Sequence, residues 1–124
     1  MSKMAKYKFS KKDTIDAHSH ITKFVAPLLR AYRKHSDTGY STRLMTMQDM
    51  MPEGMRVPDT VQDWDELEKY EDLLKAQWVW VLDEIVWTFN TLEVMDKVTI
   101  SPDEDMRIER GMKLFAAVYL SLWW

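Results

Sequence analysis

Residues 77–89 read QWVWVLDEIVWTF, and this run limits the chain more than any other. Wound as a helix, Trp78, Val81, Leu82, Ile85, Phe89 and Leu92 share one face at steps of three and four. Val79, Trp80, Val86 and Trp87 form a second face, and only Asp83, Glu84 and Thr88 interrupt the apolar coat. A helix that is apolar nearly all round needs cover on more than one side. In a chain of 124 residues that calls for a central helix, an oligomer interface, or both. The expected architecture is therefore all-α, a small bundle of three main helices in a single domain over residues 1–124.

The flanking segments supply the other helices. Residues 1–9 read as a flexible basic lead. Ser10 and Asp13 have capping-box spacing and open a first helix. Its expected core stripe is Ile21, Phe24, Val25, Leu28, Leu29 and Tyr32. Pro27 lies inside that stripe and predicts a kink, or two helical pieces meeting there. Arg30, Arg33, Lys34 and His35 suit the negative end of the helix dipole, and Gly39 is the terminator. Residues 40–59 carry Met45, Met47, Met50, Met51 and Met55 among the breakers Pro52, Gly54 and Pro58. They read as an irregular loop folded over the core with methionine as filler; the alternative is an adaptable binding surface. Thr60 and Asp63 open a second helix running to about Met95, and the residues leave open whether it is continuous or breaks near Tyr70 to Leu73. Ser101, Pro102, Asp103 and Glu104 combine an N-cap, a first-turn proline and a capping box, the clearest local signal in the chain. The third helix is expected to bury Ile108, Met112, Phe115, Tyr119 and Leu122, to use Gly111 for close approach, and to reach the last residue.

Composition removes several function classes. Cysteine is absent, which excludes disulfides, thiol nucleophiles and thiolate zinc sites. The basic start MSKMAKYKFSKK is not followed by an apolar signal region. The apolar run over 114–124 is shorter than the roughly 20 residues that span a bilayer. The expectation is a soluble cytoplasmic protein with no membrane contact. The net charge of −3 conceals an asymmetry. Residues 1–43 hold 10 Lys/Arg against 3 Asp/Glu, and residues 49–72 hold 2 against 9. The basic arm is expected to lie against the acidic segment, within one chain or across a dimer. Nucleic acid is disfavoured as a partner, because the arm has no recognition motif and the chain as a whole is acidic.

No motif supports catalysis. The run IDAHSHIT over residues 15–22 has the D-x-H-x-H pattern of metal-dependent hydrolases, whose two histidines alternate on a strand to reach one metal. Here a helix is expected, on which His18 and His20 do not share a face, and barrels of that type need about 250 residues. No metal site, cofactor or catalytic residue is assigned, and His18 is expected to be a half-buried, hydrogen-bonded residue on the apolar stripe. There is no Gly-x-Ser-x-Gly elbow and no phosphate-cradling glycine loop. Asp83 and Glu84 stand out because they share a strip with Trp80 and Trp87 inside the most apolar helix. They can reach solvent, pair with Arg107, Arg110 or Lys113, or serve as a polar anchor in an aromatic pocket. The candidate ligand- or partner-binding residues are Trp80, Asp83, Glu84, Trp87, His18, Arg107 and Arg110. The strip is expected to lack cover from its own chain.

Three blocks, DAHSHITKFVAPLLRAYRK, WVWVLDEIVWTF and RIERGMKLFAAVYLSLW, resemble in the same order a pattern in small helical proteins encoded by tailed bacteriophages. Pro27 and Leu29 carry the first, and Trp78, Leu82, Asp83, Ile85 and Phe89 the second. Arg107, Ile108, Gly111, Phe115, Leu122 and Trp123 carry the third. That family has no assigned chemistry. The resemblance implies a phage origin and an accessory role, and with no catalytic motif in the chain the expected role is a non-enzymatic one in the host cell cytoplasm. The expected protein is a homo-oligomer that antagonises a host defence or process by sequestering a small nucleotide-like molecule between subunits, with cations of the basic arm on its phosphates. The alternatives are direct inhibition of a host protein, or a structural or assembly part in the virion.

Overall fold

A computed structural model describes residues 11, 16–36, 39–61 and 64–122 of the chain. Among them are four α-helices and no strand: α1 (Ala17–His35), α2 (Trp64–Glu68), α3 (Glu71–Val94) and α4 (Pro102–Val118). The architecture is an all-α small helical bundle with three long helices. The Ser10–Asp13 pair and the basic lead lie outside the described residues.

α3 is the central element. Both α1 and α4 pack along it, and the loop between α1 and α2 covers a third side. Trp78, Val81, Leu82, Ile85 and Phe89 are buried, as their spacing predicts. The polar residues Gln77, Glu84 and Thr88 are buried too, while Val79 is exposed. The second helix, whose continuity the residues leave open, is broken at Lys69–Tyr70. The N–H groups of Lys69 and Tyr70 donate three residues back, to the carbonyls of Glu66 and Leu67, and this tighter closure ends α2 before α3 begins. The start is later than Thr60: residues 58–61 form a turn instead, closed by Val61 N–H donating to the Pro58 carbonyl at 3.1 Å.

α1 runs unbroken through Pro27, which faces solvent. Its buried face is not the expected stripe. Thr22, Ala26 and Leu29 are buried, Val25 and Tyr32 are half-buried, and Ile21, Phe24 and Leu28 are exposed. Small Ala26 and Thr22 let α1 lie close to α3, and the Thr22 hydroxyl donates to the His18 carbonyl at 2.7 Å. Polar anchors hold this rotation. Arg30 donates to Asn90 at 2.6 Å and pairs with Glu93 at 3.1 Å, and Arg33 pairs with Asp83 at 2.6 Å. These arginines of the basic arm thus engage α3 and not the acidic segment over 49–72.

The Ser101 box forms as read: the Glu104 N–H donates to Ser101 Oγ at 3.1 Å and the Ser101 N–H to Glu104 Oε1 at 3.2 Å. α4 is also rotated from expectation. Ile108, Gly111, Leu114 and Val118 are buried, Phe115 and Leu122 half-buried, and Met112 and Tyr119 exposed. Contact between Gly111 and Thr88 sets the rotation. The α-helix stops at Val118, followed by a 3₁₀ turn over Tyr119–Ser121.

Residues 40–59 fold onto the core in three short 3₁₀ turns, Thr42–Thr46, Gln48–Met50 and Glu53–Met55. Leu44, Met47, Met51 and Val57 are buried there, so these methionines act as filler. An amide pair, Gln77 buried and Gln48 half-buried, fastens the loop. Gln77 and Gln48 donate to each other's side-chain oxygens at 2.9 and 2.8 Å, Gln77 donates also to the Met55 carbonyl at 2.5 Å, and the Val57 N–H donates to Gln48 at 2.9 Å. No helix among the described residues is long and apolar enough to cross a membrane.

Candidate functional site

Trp80, Glu84 and Trp87 follow one another at steps of four and three on α3, so they form a ridge. Arg107 and Arg110, three apart on α4, form the facing ridge. The two interleave in opposite order, Trp80 with Arg110 and Trp87 with Arg107, because α3 and α4 double back on each other across the short link after Val94.

Glu84 is the centre of this site. It is only 7% exposed. Arg107 grips it in a fork, Nε to Oε1 at 3.1 Å and Nη2 to Oε2 at 2.7 Å, and Arg110 Nη2 donates to Oε1 at 2.5 Å. Burial by itself would raise the Glu84 pKa, but hydrogen bonds and charge from Arg107 and Arg110 outweigh it and hold the carboxyl below its ordinary value. The Glu84 hydrogen bond in turn raises the Arg107 pKa against the opposing effect of burial. The guanidinium carbon of Arg107 lies 3.9 Å from the Trp87 ring centroid, and that of Arg110 lies 5.5 Å from the Trp80 centroid. Each cation is therefore held on one side by a carboxylate and on another by an aromatic face.

Two arginines answer one buried carboxylate, and their side chains remain 39% and 47% exposed. The strip expected to be bare is partly covered by its own chain: Trp80 and Trp87 are half-buried beneath α4. What reaches the surface is an oriented Trp–Arg face.

The structure brings together five of the seven candidate residues. Asp83 is separate, because consecutive helix residues point about 100° apart. It is exposed and pairs with Arg33 of α1, so it does not share a strip with Glu84. His18 is separate as well. It is exposed and not half-buried, and it lines a small cleft with Lys23, Glu93 and Asp96 at the far end of α3. His18 and His20 lie on α1, so the helical geometry argued against a shared metal holds. Among the described residues no group of three or more His, Asp or Glu side chains is gathered where it could hold a metal.

Sequence reasoning missed Gln48, Gln77 and Thr88 as organising residues. The signal available was polarity itself, since Gln77 and Thr88 interrupt an apolar helix whose every side needs cover. Comparison with family models, curated proteins and solved structures finds no match to this chain.

Proposed function

We propose that the protein is a non-enzymatic phage accessory protein that acts in the host cytoplasm by binding a host protein, with the Trp80–Trp87–Arg107–Arg110 face as its contact surface. The observation that carries this reading is the pair of half-exposed guanidiniums anchored by buried Glu84, each beside a tryptophan ring. Tryptophan and arginine are the residues most enriched where interfaces concentrate their energy. Side chains already held in place lose less freedom on binding than mobile ones. The phage assignment rests on the three sequence blocks described above.

Sequestration of a nucleotide is less well supported by this geometry. The reading called on Lys and Arg of the basic arm to neutralise phosphates, and two of those cations, Arg30 and Arg33, are engaged with Glu93 and Asp83.

The test is affinity capture from a bacterial host lysate with the tagged full chain and with Arg110→Glu. Arg110 is exposed and Arg107 still grips Glu84 in its absence; Arg110→Gln, which adds no carboxylate beside Glu84, is the second variant should Arg110→Glu fail to fold. The expected result is a captured protein that is lost with Arg110→Glu at unchanged helicity. Capture equal in both would overturn this contact surface. A rise in melting temperature with a panel of nucleotides, abolished by Arg110→Glu, would replace the protein partner by a nucleotide.

A further inference from the structure

We infer that the outer face of α1 is the dimer interface, pairing antiparallel with α1 of a second copy. The inference stands apart from the Trp–Arg face, which lies between α3 and α4.

α1 turns Thr22, Ala26 and Leu29 inward and leaves three large apolar residues outward. Ile21, Phe24 and Leu28 are 59%, 71% and 55% exposed, while Ala26 is buried. With Ala17, Ala31 and His35, also exposed, they form the series 17, 21, 24, 28, 31, 35. The steps alternate four and three, which is the heptad seam by which one helix packs into another. No Asp, Glu, Lys or Arg stands on the seam. Lys23 and Arg30 lie away from it on the helix circumference, and Arg30 is tied to α3.

The occupant is a second copy because the seam is its own complement. Its spacing is symmetric about residue 26, so a two-fold axis there sets Phe24 against the partner's Leu28 and Ile21 against the partner's Ala31. Large residues then meet smaller ones, as knobs meet holes. The antiparallel arrangement also keeps Lys34 of one copy away from the same residue of the other.

A cleft of about 450 Å³ adjoins the seam, between α1 and the end of α4. Phe24, Leu28, Tyr32, Phe115, Tyr119 and Leu120 are among its lining residues. Phe115 and Tyr119 of its wall continue an edge-to-face series from the core, Phe89 to Phe115 at 5.0 Å and Phe115 to Tyr119 at 5.6 Å. Leu120 at its rim is 85% exposed. The exposed parts of Ile21, Phe24, Leu28, Tyr119 and Leu120 amount to roughly 700 Å² per copy, close to the about 800 Å² that each partner gives to a standard interface.

The test measures the mass of the full chain by light scattering at micromolar concentration. The chain of 14.8 kDa should run as a dimer, and Phe24→Asp or Leu28→Asp should make it a monomer with unchanged helicity, since both residues are exposed. Absence of cysteine permits a second readout. An equal mixture of Ile21→Cys and Ala31→Cys chains should cross-link on oxidation several-fold more than either alone. A monomeric wild type, or a dimer untouched by both aspartates, would overturn the inference. So would a dimer lost in Arg110→Glu and kept in Phe24→Asp, which would move the interface to the α3–α4 face.

Discussion

Gly111 of α4 rests directly on Thr88 of α3, so closely that a Cβ added to the glycine would overlap the threonine hydroxyl and lie 2.7 Å from its Cβ. Thr88 cannot yield, because it is fully buried and its hydroxyl donates to the Glu84 carbonyl at 2.8 Å. The same contact brings the first half of α4 near enough for Arg107 and Arg110 to reach Glu84. Core packing and the candidate site are thus set by one close approach.

Gly111→Ala should therefore destabilise the protein. Alanine favours a helix over glycine by about 1 kcal/mol, but overpacking costs about 1–3 kcal/mol. Chemical denaturation should show a net loss. Adding Thr88→Ala should recover part of it, because the hydroxyl overlap goes while the Cβ contact stays. Full additivity of the two changes would show that the contact does not limit the helix spacing.

Adjacent carboxylates should behave differently. Glu84→Gln removes a charge held by two arginines at a buried position and should cost about 1–3 kcal/mol. Asp83→Ala breaks an exposed pair with Arg33 and should cost less than about 1 kcal/mol. Equal losses in urea titrations would contradict the placement of Glu84 as the buried centre.

Acid should erase the Glu84 contribution in a defined direction. Its folded pKa is lowered, so the stabilisation is fully present above the ordinary glutamate value of about 4.3 and disappears as pH falls through the lower folded value. The stability difference between wild type and Glu84→Gln should be constant near neutrality and shrink below that ordinary value. A difference that vanished at neutral pH instead would require a raised pKa.

Gln77→Leu should loosen the loop over residues 40–59. It leaves Gln48 with only Leu44 and Val57 as partners and strips the donor from the Met55 carbonyl, at a cost of about 1–3 kcal/mol for a buried group left unpaired. Limited proteolysis should then cut this loop faster than in wild type, while α3 and α4 stay protected. Unchanged cleavage would mean that the methionines alone hold it.

The three long helices are legible in the residues themselves, because 3.6-residue periodicity and the Ser101 box are local properties. The centrality of residues 77–89 is legible too, since a helix apolar on all sides has few other places to be. Pairing of Glu84 with Arg107 and Arg110 is one of the arrangements that the residue types allow. The separation of Asp83 and the exposure of His18 do not follow from them, because a neighbour's position decides which way each residue is answered.

By itself, then, the sequence determined the helical class and the place of residues 77–89 at the centre of the bundle. Tertiary structure decided the rotation of the flanking helices. Periodicity marks every apolar position on α1 and α4 without ranking them, whereas packing selects those that permit close approach. On α4 that is Gly111 against Thr88; on α1 it is Ala26 and Thr22, and this choice leaves Ile21, Phe24 and Leu28 at the surface.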